Sequence, residues 1–193
     1  CGLNPKGVHL LPNMIDAQPH TQTVGPHDPL VLYPVRAIRR KNLGEAILLS
    51  LYMAPQDRLG ITLPPNSPAD WPSYRLWKTF VSTHQLRVKF ELGEHYSFQA
   101  LMRRAKYIIT TSIAEGFGFS FLEPWMFGKS LLGRKLPAVC RDFDHRGIRL
   151  NHLYTRLRIP LSWLDLKGFY QKWSDHLERA AQRYGLSIPE DRI

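Results

Sequence analysis

The chain has 193 residues, 44% of them hydrophobic and 22% charged, with a formal net charge of +10. That length fits one domain, or one domain with a linker, and the apolar share suffices for a packed core, which excludes a chain disordered throughout. The apolar runs are short and interrupted, so none reads as a membrane span, and the positive balance points to nucleic acid, an anionic membrane surface or phosphorylated small molecules.

In chain order, residues 1–29 are rich in proline and histidine and read as an entry linker. No secretory leader is read there, and Cys1 in place of an initiator methionine reads as the start of a piece of a longer protein. Leu30–Val35 is wholly apolar, as a buried parallel strand would be. The basic segment Arg36–Lys41 follows, then a helix over 42–51 with Asn42 as its N-cap. Leu59–Leu63 is a second strand and Pro64–Pro72 a loop. A helix over 73–84 places Tyr74, Trp77, Phe80 and Val81 on one face. Leu86–Leu92 alternates apolar and charged residues, which predicts a strand nearer a sheet edge. A short helix over 97–105 leads to the strand Tyr107–Thr110, then a helix from Phe119 to Gly128. Ser130–Gly133 is a weak last strand, and Trp163–Tyr184 a long C-terminal helix. Strands alternating with helices predict an α/β fold: a Rossmann-like parallel sheet with helices on both faces. The expected domain spans 30–162, followed by a helix and tail over 163–193.

The chemistry concentrates between Thr110 and Pro124. Glu115 and Glu123 stand eight residues apart and bracket a strand–loop–helix junction. Gly116-Phe117-Gly118 between them allows close backbone approach, and the predicted helix start offers N–H groups to an anion such as phosphate. Glu123 is expected one and a half to two turns into that helix. Ligands of such sheets bind at the carboxyl ends of strands. Arg36–Lys41 and Glu115–Glu123 both directly follow strands, so they can meet in one crevice. The eight histidines show no ligand spacing. Cys1 and Cys140 read as free thiols in a reducing compartment, Arg39 and Arg40 as surface charges, and Arg134 and Arg141 stay unassigned. No RNP-like aromatic motif or Cys/His finger spacing accompanies the basic residues, so nucleic acid is not the expected partner.

These residues resemble the C-terminal half of GT-B glycosyltransferases, in the large retaining family that includes sucrose synthases, bacterial glycogen synthases and many mannosyl- and glucosyltransferases. Three motifs carry the resemblance, in family order. Pro12-Asn13-Met14-Ile15-Asp16 matches the interdomain Pro-Asn-x-x-Asp. Arg36 and Lys41 match an arginine and, five residues on, a lysine after the first strand. Glu115 and Glu123 match the E-x7-E. The resemblance covers about residues 8 to 135. It departs at Pro124–Leu131, where the family often shows Ala-Met-Ala-x-Gly-x-Pro-Val. It departs again at Gly133–Pro137, which replaces a common Gly-Gly-x-x-Glu, and at Leu63-Pro64-Pro65-Asn66, where a Gly-x-Gly is common.

The resemblance implies a donor-binding domain of a hexosyltransferase that uses a nucleotide diphosphate sugar, UDP- or GDP-linked, with retention and without a metal or other cofactor. Arg36 and Lys41 would hold the diphosphate and offset charge on the leaving group. Glu115 would accept the transferred sugar's hydroxyls and Glu123 the ribose hydroxyls. The backbone of Gly116, Phe117 and Gly118 would approach the donor, and Leu92 and Gly93 would edge the base. Arg36, Lys41 and Glu115 are the expected catalytic set. The N-terminal acceptor domain is expected to lie outside this chain, which alone should be inactive. A cytoplasmic location is expected, and peripheral membrane contact of the full-length protein stays open. The alternatives are a GT-B-like epimerase and a non-catalytic nucleotide-sugar-binding module.

Overall fold

The computed structural model describes residues 29–187. The Pro12–Asp16 motif lies outside the described residues. The chain divides between Thr155 and Arg156 into two compact units.

The first unit is a five-stranded parallel sheet in the order β3-β2-β1-β4-β5. The strands are β1 (Leu30–Arg36), β2 (Arg58–Leu63), β3 (Val88–Lys89), β4 (Tyr107–Thr110) and β5 (Leu131–Gly133). The helices between them are α1 (Leu43–Ser50), α2 (Trp71–Thr83), α3 (Phe98–Arg104) and α4 (Glu123–Met126), with α5 (Pro137–His145) after β5. β1 is central, so both its faces are covered, which is why its sequence lacks polar alternation. Val31, Tyr33 and Val35 enter one core with Ala46, Ile47, Tyr74 and Val81 from α1 and α2. Leu32 points the other way, into a core with Leu101, Met102, Ile108, Phe121 and Leu131. Successive strand residues face opposite sides, so one strand feeds two cores. Each large side chain so buried contributes roughly 1.5–3 kcal/mol. The β1–β2 register slips between Tyr33 and Arg36, where Pro34 has no N–H to give the ladder.

Several predicted elements differ in extent. β3 pairs over only two residues, because Glu91 turns into a left-handed conformation at φ 64° and Leu92–Glu94 coils into a 3-10 turn. Its edge position is as the alternation predicts. The helix expected from Phe119 to Gly128 is a 3-10 turn, Phe119–Phe121, followed by the four-residue α4. Gly128, at φ 63°, ends it. Asn42 does precede α1, but at φ 48° and without a side-chain cap bond. Helix α5 has no counterpart in the sequence reading. Its signals are Pro137 in the first turn and buried Cys140.

The second unit holds a 3-10 turn, Leu161–Trp163, and α6 (Leu166–Arg183). α6 starts later than the predicted Trp163 because Asp165 accepts from the Gly168 N–H at 3.0 Å and sets the cap there. Trp163, Phe169 and Trp173 are exposed. No described helix is long and apolar enough to cross a membrane.

Candidate functional site

The loops at the carboxyl ends of β1 and β4 come together across 74 residues of sequence. Lys41 closes a 3-10 turn, Arg39–Lys41, just after β1. Its Nζ forms an ion pair with Oε1 of Glu115, in the loop after β4, and both side chains are largely buried. Arg40 Nη1 stands 3.9 Å from Glu115 Oε2, and Ser120 Oγ donates to Oε1 at 3.3 Å. Glu115 therefore faces two cations and a hydroxyl. Arg40, which the sequence suggests as a surface charge, is half-exposed but borders the site.

Glu123 is the first residue of α4. It therefore sits at a helix start rather than well inside a helix. Burial pushes its carboxyl above the usual glutamate range; Lys41 opposes this and Glu115 adds to it. The structure thus brings Lys41, Glu115 and Glu123 into one electrostatic cluster at the carboxyl edge of the sheet.

Of the residues between the glutamates, Gly116 is open, with nothing among the described residues within 4 Å of where a Cβ would stand. Phe117 is 71% exposed and its ring lies 5.9 Å from that of Phe119. Gly118 is required: at φ 77°, a Cβ would fall 2.6 Å from Val139 of α5. Arg36 is the last residue of β1, and its Nη1 donates to the Pro64 carbonyl at 3.0 Å, beside the end of β2. Leu92 and Gly93 pack on β2. A Cβ on Gly93 would lie 3.1 Å from the Thr62 carbonyl, and one on Gly60 would lie 2.5 Å from Leu92.

Beneath the Lys41 turn lies a polar cage that sequence reasoning missed. The Lys41 carbonyl accepts from Tyr33 Oη at 2.7 Å and Thr111 Oγ1 at 3.1 Å. Thr111 Oγ1 also reaches the Asn42 carbonyl at 3.1 Å, and Tyr33 Oη lies 3.0 Å from Ser112 Oγ. The Ile113 N–H donates to the Arg40 carbonyl at 2.9 Å. On the other side Glu45 of α1 accepts from Asn42 Nδ2 at 2.8 Å, Tyr154 Oη at 2.6 Å, and Arg134 Nε and Nη2 at 3.0 and 2.5 Å. Arg134 stacks over the Tyr154 ring at 5.6 Å. Its guanidinium is thus committed to Glu45. The only hint in the sequence is the Asn42-x-x-Glu45 spacing at the start of α1.

Among the described residues, no group of three or more His, Cys, Asp or Glu side chains could hold a metal. No family model matches the chain. Over 158 residues, 81% of this chain, it is 27% identical to the mannosylglucosyl-3-phosphoglycerate synthase of Petrotoga mobilis, of which it spans 30%. Among solved structures, TarM matches over 74% of this chain and 28% of its own, at TM-score 0.55 and 15% identity. The chain has the C-terminal domain fold of GT-B glycosyltransferases. A Staphylococcus aureus TarM variant, crystallised with Fondaparinux, alpha-GlcNAc-glycerol and UDP, matches 68% of this chain and 26% of its own at TM-score 0.51 and 15% identity. This chain thus spans less than a third of the length of each of these proteins.

Proposed function

We propose that this chain is the donor-binding domain of a retaining, metal-independent glycosyltransferase that moves a hexose from a nucleotide diphosphate sugar to an acceptor held by another part of the protein. The observation that carries the reading is the Lys41–Glu115–Glu123 cluster at the carboxyl edge of a parallel sheet. A lysine is a compact charge suited to phosphate oxygens, and an arginine a planar fork. In this reading Lys41 and Arg36 bind the diphosphate and stabilise the charge that develops as the sugar–phosphate bond breaks. Preorganised cations aimed at a developing charge supply a large part of such catalysis. Lys41 is held for that task on both sides: its carbonyl by Tyr33 and Thr111, its ammonium by Glu115. Glu115 then accepts the sugar's hydroxyls while keeping Lys41 in place, and Glu123 accepts the ribose hydroxyls. The open backbone at Gly116–Phe117 leaves room for the donor.

Two similarities support the reading. TarM, whose fold this chain shares, has been crystallised with UDP, and the Petrotoga relative's name carries mannosyl and glucosyl units, both hexoses.

Calorimetric titration of the chain with UDP, GDP and ADP tests the proposal, alongside Glu123→Ala and Arg36→Ala. Selective binding of one nucleotide, lost in both variants, is expected. Binding unaffected by either substitution would remove the assigned roles. Release of nucleoside diphosphate by the full-length protein only in the presence of an acceptor would separate a transferase from an epimerase or a binding module.

A further inference from the structure

The end of the sheet opposite the donor site carries a different kind of surface. In a parallel sheet all strands start at one pole, and the intervening helices end there. The strand starts bring Arg87, Arg58 and Lys106 to this pole, in register across β3, β2 and β4. The Leu59 N–H donates to the Arg87 carbonyl, Arg58 N–H to the Pro29 carbonyl and Lys106 N–H to the Leu30 carbonyl. With strands about 4.8 Å apart, these cations form a row roughly 15 Å long. The end of α3 adds Arg103 and Arg104 on one side of the row. The end of α1 adds Leu51 and Tyr52 on the other, 54% and 70% exposed. Arg58, Arg87, Arg103 and Lys106 are all exposed.

Carboxylates are distributed the other way. Glu45, Glu115 and Glu123 lie toward the carboxyl ends of the strands, as do Glu91 and Glu94 after β3 and Asp70, whose Oδ1 accepts from the Arg39 N–H. At the strand starts the described carboxylate is Asp57, and it is buried and bound to Lys106 at 2.9 Å. A cavity of about 190 Å³ adjoins the row, lined by Leu30, Arg58, Lys89, Leu92, Tyr96 and Arg104 among others: an apolar floor with a cationic rim.

We infer that this pole is a docking surface for an anionic lipid bilayer. A row of cations meets the negative surface potential of such a membrane, and an adjacent exposed leucine and tyrosine suit the headgroup boundary, where amphipathic rings reside. Charge alone would serve any polyanion. The exposed Leu51–Tyr52 tip favours a bilayer, because inserting it removes apolar surface from water. β1 spans about 20 Å between the pole and the Lys41 turn, so docking leaves the donor site facing away from the bilayer. The inference stands independently of the proposed transfer reaction.

Flotation of the 193-residue chain with vesicles tests it. Vesicles of phosphatidylcholine mixed with phosphatidylglycerol should carry the chain, and phosphatidylcholine alone should not. Raised salt should release it, since exposed charges are screened. Each cation at such a surface contributes about fivefold in partitioning. Arg58→Ala with Arg103→Ala should therefore weaken binding by more than tenfold, and Leu51→Ser with Tyr52→Ser by at least severalfold. These side chains are exposed, and unchanged circular dichroism would show that the fold persists. Nucleotide titration should give the same result with and without vesicles. Failure to float with anionic vesicles overturns the inference without reference to any variant. So does equal binding to both lipids. Vesicle binding unchanged by the Leu51/Tyr52 pair, together with tight binding of single-stranded RNA, would mark the pole as a general polyanion surface and overturn it too.

Discussion

Glu45 offers the most demanding test of how the site is held. Its largely buried carboxylate accepts four hydrogen bonds, two of them from the Arg134 guanidinium, whose side chain is 20% exposed. Glu45→Ala would strand that cation and leave Tyr154 Oη and Asn42 Nδ2 without their acceptor. Breaking a buried pair from one side costs about 3–5 kcal/mol. Water reaches part of Arg134, so the low end applies: about 3 kcal/mol. For a chain of this size each kcal/mol shifts the melting temperature by about 2–4 °C, which gives a drop of roughly 6–12 °C. Urea unfolding followed by circular dichroism, run as a cycle with Arg134→Ala and the double variant, measures the coupling directly. Residues in contact within one network couple by about 0.5–3 kcal/mol, and a two-bond charge-assisted pair should fall in the upper half of that range. The double variant should then be less destabilised than the sum of the singles. If each single costs under about 1 kcal/mol and the two add, the network does not hold the Lys41 turn and the reasoning fails. Asn42, bound to Glu45, directly follows Lys41, so nucleotide affinity should fall in Glu45→Ala at temperatures where the variant is fully folded.

Three further outcomes are expected. Glu123 has a raised pKa, so the folded state holds its proton to higher pH than the unfolded chain does. Stability is then lost as pH rises from the ordinary value of 4.5 through the folded value. Glu123→Gln cannot ionise, so its melting temperature should match the parent's at low pH and exceed it at neutral pH; a deficit at neutral pH would mean that Lys41 outweighs burial. Gly133→Ala places a Cβ 2.0 Å from the Thr110 carbonyl at φ 121°. It should cost at least about 3 kcal/mol, in the range of severe backbone effects, and soluble expression with near-parental melting would contradict the close approach of β5 to β4. Among the described residues, Thr110 Oγ1 is buried without a hydrogen-bond partner. Thr110→Val removes an unsatisfied oxygen at nearly constant shape and should stabilise by about 1 kcal/mol in urea unfolding; a loss of the same size would reveal a partner for that hydroxyl.

The fold class was legible in the sequence because it rests on local patterning. Apolar runs such as Leu30–Val35 and Tyr107–Thr110 lack polar alternation because the strands they form are covered on both faces. The helix between β2 and β3 shows one-sided apolar spacing, with Tyr74 and Val81 buried. Lys41 and Glu115 could be placed in one crevice from the rule that loops after parallel strands share an edge. The roles of Arg36, Leu92 and Gly93 rest on the family resemblance, and the structure adds only their positions.

Read along the chain, the residues yield the order of the strands and the chemistry available at the carboxyl edge. Which groups meet is set by the arrangement of the strands in space. Arg134 finds Glu45 across 89 residues and Tyr154 finds it across 109. Such pairs leave no periodic trace, because a side chain's partner depends on how strands are ordered in the sheet. The same holds for the short β3 and α4. β3 stops where Glu91, not a glycine, turns left-handed, and α4 is short because Phe119–Phe121 coils as a 3-10 turn before it, while its end at Gly128 is where the sequence places it. The concentration of cations at the strand starts is equally invisible along the chain: Arg58, Arg87 and Lys106 are far apart in sequence and become neighbours only because parallel strands all begin on the same side.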